Sequence, residues 1–174
     1  SVKSTDPTAG NYNNAGATGT NALAAGVGAS AAGSNAVAMG TGAIASGDYA
    51  VPQGNNSFAA GSAVAVGNGA HAAGNFGVAA GRNSYAGYQA VATGYNASAT
   101  GANSIASGLR ASAIGDNSEA LGAGSHTYVA GDTALGQNAI AHGGSEATTS
   151  LVAAATAVGS GASATGSGSA ALGM

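Results

Sequence analysis

Glycine returns every seventh residue along most of this chain, and that spacing leaves few folds open. It stands at positions 19, 26, 33, 40, 47, 54 and 61, at 67 after one deletion, and at 74 and 81. It resumes at 94, 101, 108, 115, 122, 136 and 143, and finishes at 159, 166 and 173. Within each phrase the third and fifth places are nearly always Ala or Ser, as at Ala36 and Ala38, Ala43 and Ala45, or Ser104 and Ala106. Small residues on alternate positions follow the side-chain period of a strand, not of a helix. One face of each strand is therefore almost bare, and bulkier residues such as Val37, Met39 and Ile44 occupy the other.

A second period overlies the first. In one set of alternate phrases the outward places carry Leu23, Val37 with Met39, Val51, Val64 with Val66, Val78, Val91, Ile105, Leu121, Leu135, Val158 and Leu172. The intervening phrases put Ser30, Ser98 with Thr100, Ser112, Ser163 with Thr165, and the histidines His71, His126 and His142 in the equivalent places. Ile44, Phe58, Ile114 and Ile140 fall on the polar set and Glu119 on the apolar one, so the alternation has exceptions. The repeat is about 14 residues, two short strands joined by two turns. Such a unit predicts an all-β chain in which each coil of a parallel solenoid stacks on the last at about 4.8 Å. Asn or Gly early in many phrases, as at Asn35, Gly42, Asn56, Asn103 and Gly161, suits the turns.

Composition then bears on assembly. Hydrophobic residues make up 45% of the chain, but much of that is alanine; there are 32 Gly, two Phe and no Trp. An alanine-lined tube buries little apolar area at ~25 cal/mol per Å², against on the order of 1 to 2 kcal/mol of conformational entropy for each ordered residue. A lone coil stack is therefore poorly supported, and a row of Val, Ile, Leu and Met along one outer flank would be an unusually large exposed apolar patch. Burying that row against copies of the chain answers both difficulties, and predicts an obligate homo-oligomer.

The phrases "NAVAMG" (35–40), "NSIASG" (103–108) and "NSEALG" (117–122), each followed by an Ala- or Ser-rich phrase ending in Gly, resemble the 14-residue head repeat of trimeric autotransporter adhesins of the Yersinia-adhesin type. The resemblance implies a left-handed parallel β-roll, three rolls side by side about a threefold axis, and display on the outer membrane of a Gram-negative bacterium after export. It also implies that Val37, Met39, Val51, Val64, Val66, Val91, Ile105, Leu121, Leu135, Val158 and Leu172 form the trimer interface. Three stretches depart from the pattern: "RNSYAG" (82–87) is one residue short, "AGSHTYVAGDTALG" (123–136) has Val129 for its middle glycine, and "GSEATTSLV" (144–152) is additional. The expected organisation is an irregular lead-in over 1–12 and one roll over 13–174, with 144–152 looping out of it.

Catalysis finds no support in the residues. The hexapeptide signature of solenoid acyltransferases is missing, and carboxylates are too few for a calcium-binding nonapeptide repeat. The three histidines lie far apart in sequence, and no Ser/His/Asp arrangement rises above chance. Neither enzyme activity, metal nor cofactor is expected. A formal net charge of −3 argues against nucleic acid, and no apolar run approaches the roughly 18 to 20 residues that span a bilayer.

A binding role remains, and the family's best-known ligand class is collagen. The expected partners are host extracellular-matrix or cell-surface proteins or glycans, held by avidity. The residues that interrupt the Ser/Thr monotony, Phe58, His71, Tyr85, Tyr95, Arg110, His126 and Tyr128, are the candidate contacts. The plainer reading is that they fill space beside turns. A structural spacer or an ice-binding solenoid is the alternative function; the latter would want a regular Thr ladder, and Thr is scattered over both phrase sets.

Overall fold

The computed structural model describes residues 14–144 and 153–173. It divides into two compact units, Ser1–Ala86 and Gly87–Met174. The first contains β1 (Leu23–Ala25), β2 (Ser30–Ala31), β3 (Val37–Met39), β4 (Ile44–Ala45), β5 (Val51–Gln53), β6 (Phe58–Ala59), β7 (Val64–Val66), β8 (His71–Ala72), β9 (Val78–Ala80) and β10 (Tyr85–Ala86). The second contains β11 (Val91–Thr93), β12 (Ser98–Ala99), β13 (Ile105–Ser107), β14 (Ser112–Ala113), β15 (Glu119–Leu121), β16 (His126–Thr127), β17 (Thr133–Leu135), β18 (Ile140–His142), β19 (Thr156–Val158), β20 (Ser163–Thr165) and β21 (Ala170–Leu172).

In each unit the odd-numbered strands form one parallel sheet and the even-numbered strands another. The apolar phrases supply the first sheet and the polar phrases the second, so the two superposed periods read from the sequence become two faces of an all-β parallel solenoid. Register follows the repeat: Leu23 pairs with Val37 and Ala24 with Ala38, 14 residues on. Where a residue is deleted, Val51 pairs with Val64 and Phe58 with His71 at a spacing of 13, so the turn absorbs the loss and the strands stay in phase.

The interior is made of methyl groups. Ala38, Ala45, Ala92, Ala99, Ala106 and Ala113 are completely inaccessible, and among the described residues the buried hydrophobic side chains are alanines joined by Pro52. Serine shares the third place because its hydroxyl finds an acceptor there: Ser57, Ser84, Ser104 and Ser125 each donate to the carbonyl three residues back, at 2.7–2.9 Å.

The glycine ladder serves two needs. Gly26, at the end of an apolar phrase, has φ +135°, and a Cβ there would lie 2.5 Å from the Gly40 carbonyl oxygen of the next coil. Gly33, at the end of a polar phrase, is not left-handed, but a Cβ would collide with the Gly47 backbone. Val129 belongs to this second series, which makes its departure from glycine tolerable at the dihedral level. The second place of the phrases is left-handed, Ala154 being an exception, and Asn35, Asn56, Asn103 and Asn117 adopt φ of 52–56° there.

Residues 1–12 of the expected lead-in, and 145–152 of the expected insertion, lie outside the described residues. The residues flanking the insertion are described: Gly144 and Ala153 form an antiparallel bridge. Beyond it Thr133 pairs with Thr156 and Leu135 with Val158.

Candidate functional site

Two outward faces carry the side chains that set this chain apart from a bare Ala/Gly/Ser roll. On the odd-numbered strands the fourth and sixth places of each phrase point outward, in two rows. In the first unit one row runs Leu23, Val37, Val51, Val64 and Val78, and the other Ala25, Met39, Gln53, Val66 and Ala80. All the residues expected at a subunit interface lie on this face. Val37, Met39, Val51, Val64, Val91, Ile105, Leu121 and Val158 are half-buried, whereas Val66, Leu135 and Leu172 are exposed.

On the even-numbered strands of the first unit, cross-coil register turns scattered aromatics into a stack. Phe58 and His71 stack with ring centroids 4.6 Å apart, and His71 and Tyr85 at 5.5 Å, their planes 17° and 8° from parallel. The spacing is that of neighbouring strands, so the sheet itself sets ring against ring. Ile44, paired with Phe58, extends this exposed ridge by one coil. The neighbouring outward row holds only Ser46, Ala60 and Ala73, so the ridge stands beside a low floor.

The second unit carries a different cluster. His126 and Tyr128 stack at 4.6 Å, and Tyr128 meets His142 edge-on at 4.9 Å. His142 was not among the expected contacts, although it stands 14 residues after Tyr128 in the same place of its phrase. Ile114 and Ile140 lie exposed in the same two rows. Tyr95 and Arg110 belong to neither group: they sit on adjacent coils at a turn edge, where the Arg110 N–H donates to the Tyr95 carbonyl at 2.9 Å. Among the described residues no group of three or more His, Cys, Asp or Glu is placed to hold a metal ion.

Burial lowers the pKa of His126 from the ordinary 6.5. The folded state therefore favours the neutral ring, and below pH 6.5 the unfolded chain takes up more protons than the folded one. Stability is complete above pH 6.5 and declines as pH falls toward the lowered folded value. Thermal unfolding between pH 7 and 5 should show this decline, and His126→Gln should remove its part of it. The half-buried ring keeps the effect modest.

Sequence reasoning missed Asp132. It occupies a third place, where nearly all other coils have Ala or Ser, and its side chain is fully buried. Its carboxylate accepts from the backbone N–H of Val129 at 2.9 Å, Tyr128 at 3.3 Å, Gly143 at 3.1 Å and Ala155 at 2.8 Å. In regular coils the third-place N–H donates to the last carbonyl of the preceding phrase, as Ala36 does to Gly33. Ala155 follows the extra residues and uses the Asp132 carboxylate instead. Asp132 thus ties Gly143 and Ala155, on either side of the undescribed residues, to the preceding coil. An acidic residue in an inward place, just before the additional stretch, was the available signal. Asp132→Ala should cost about 3 kcal/mol by stranding these donors, read as faster proteolysis and amide exchange around Gly143 and Ala155. Asp48 and Asp116 act more locally, accepting from Ser34 N at 2.7 Å and Ala102 N at 2.8 Å in the preceding coil.

A family model described as YadA head domain repeat (2 copies) matches residues 17–43, 31–51, 60–84, 86–111 and 106–125, more than half of the chain. The chain belongs to the YadA head domain repeat family. The matched YadA head segments contain His71, Tyr95 and Arg110, while Phe58 and Tyr85 each fall between matched segments. The His126, Tyr128 and His142 cluster and Asp132 lie after residue 125, where the YadA-type register nonetheless continues from Leu135 to Val158 to Leu172. No curated protein is significantly similar to the chain in sequence.

Proposed function

We propose that this chain is the non-enzymatic adhesive head of an exported trimeric autotransporter, held on the bacterial outer surface as three left-handed β-rolls side by side. Membership of the YadA head repeat family carries the reading. An interior of alanines beside a row of half-buried Val, Ile and Leu adds physical support, since these larger apolar side chains face outward and not into the roll. Each protomer would then present its even-numbered sheets to solvent, away from the axis, and three copies of each aromatic cluster would act together. Host matrix or cell-surface proteins or glycans, with collagen the family's best-known class, are the ligands to test.

An array of matrix proteins and glycans, probed with the purified protein, tests this directly. Selective, saturable binding is the expected result, and a blank array favours a spacer role. The triple change Phe58→Ser, His71→Ser and Tyr85→Ser uses a residue type found at equivalent places such as Ser30 and Ser98. It should weaken binding at least about tenfold, in the range of lost aromatic anchors, and leave the mass in solution unchanged.

A further inference from the structure

We infer that in the second unit the surface meeting a neighbouring copy of the chain crosses from one outward row to the other between Ile105 and Leu121. The inference rests on the trimeric reading above but names something that reading leaves open, namely which side chains face the partner at each coil. Strand register fixes the two rows. The first runs Val91, Ile105, Glu119, Thr133 and Thr156; the second runs Thr93, Ser107, Leu121, Leu135 and Val158. They are complementary: where the first is apolar the second carries hydroxyls, and from Leu121 onward the pattern is reversed. The first unit has no such exchange, its first row being apolar from Leu23 to Val78.

Charge and hydrogen bonding say why the contact changes rows. Glu119 is exposed, directly between Ile105 and Thr133 in the first row. Near a threefold axis three such carboxylates would face one another and lose water, a cost borne by each. Two residues on, Leu121 offers apolar surface at the same coil. In the earlier coils the second row is already satisfied within the chain, Thr93 Oγ1 donating to Ser107 Oγ at 2.9 Å. The occupant that fits is another copy in the same register, because it presents Ile105 where this chain presents Ile105 and Leu135 where it presents Leu135. A closed cyclic assembly of parallel copies sets such equivalent heights side by side.

The chain has no cysteine, so single cysteines report on proximity without interference. A disulfide between equivalent positions needs Cα atoms roughly 4.4–6.8 Å apart. Under mild oxidation of the whole protein, Ile105→Cys and Leu135→Cys should give at least tenfold more covalent dimer than Ser107→Cys and Thr133→Cys. Leu121→Asp should disperse the assembly, while Glu119→Val should leave its mass unchanged. Crosslinking confined to one row at both coils, at all four positions or at none, or a Leu121→Asp protein that stays assembled, overturns the crossing even though the unsubstituted protein sediments as a trimer. A monomeric unsubstituted protein instead removes the trimeric reading, and the inference with it.

Discussion

Replacing Ala106 by Leu should prevent normal stacking of the coils in the second unit, although the substitution merely exchanges one apolar residue for a larger one. Ala106 is completely buried, and its sheet neighbours in register are Ala92 and Ala120. The facing sheet contributes Ala99 and Ala113. Three additional carbons have no flexible side chain to displace, so room can come only from separating hydrogen-bonded backbones. Overpacking of an ordinary core costs about 1 to 3 kcal/mol; here the upper end or more is expected, since alanine and backbone cannot repack into other rotamers. The measurement is thermal unfolding followed by circular dichroism. The control is Ala97→Ser: position 97 is a third place, and a hydroxyl there meets the Gly94 carbonyl as Ser104 meets Gly101. Ala97→Ser melting normally while Ala106→Leu fails to fold would fit the interior described above; an Ala106→Leu protein with unchanged melting would mean that the interior is looser than its burial indicates.

One residue earlier, the opposite face gives the second large effect. Ile105→Asp should abolish the trimer at micromolar concentration and lower stability by several kcal/mol per assembly, the scale of burying unpaired carboxylates. Ile105 is half-buried in the isolated chain, between Val91 and Glu119 in the outward row. Val37→Asp should behave likewise in the first unit, where Leu23 is its neighbour in register. Light scattering distinguishes the outcomes. If the Ile105→Asp protein remains a trimer with unchanged melting, the row faces solvent and assembly depends on another surface. Neighbouring residues thus fail in different ways: Ala106→Leu damages the roll itself, and Ile105→Asp the packing of one roll on another.

The coil length, the inward places and the division of phrases between two faces were legible in the sequence because each coil of a solenoid touches mainly the coil before and after it. With a constant 14-residue spacing, neighbours in sequence phase are neighbours in space, and Val37 can be placed beside Leu23 by counting alone. The equivalence of Ala and Ser at the third place was also visible, though its cause was not: only the backbone geometry brings the Ser104 hydroxyl to the Gly101 carbonyl. The ladder of glycines likewise concealed two different requirements, φ at Gly26 and close approach at Gly33.

Tertiary structure decided matters wherever counting breaks down. The Phe58, His71 and Tyr85 stack crosses a shortened coil, so its rings meet at spacings of 13 and 14. His126 stacks on Tyr128 two residues on, a contact between the two outward rows of one coil that the 14-residue period does not encode, whereas His142 meets Tyr128 at the regular spacing of 14. Asp132 is the extreme case. Its partners Val129, Gly143 and Ala155 lie 3, 11 and 23 residues away, beside the antiparallel bridge between Gly144 and Ala153. A periodic sequence determines its regular contacts because hydrogen-bonded strands lock every coil to the same length. Where a coil departs from that length, the turn donors seek acceptors wherever the folded backbone has placed one, and only the three-dimensional structure specifies that place.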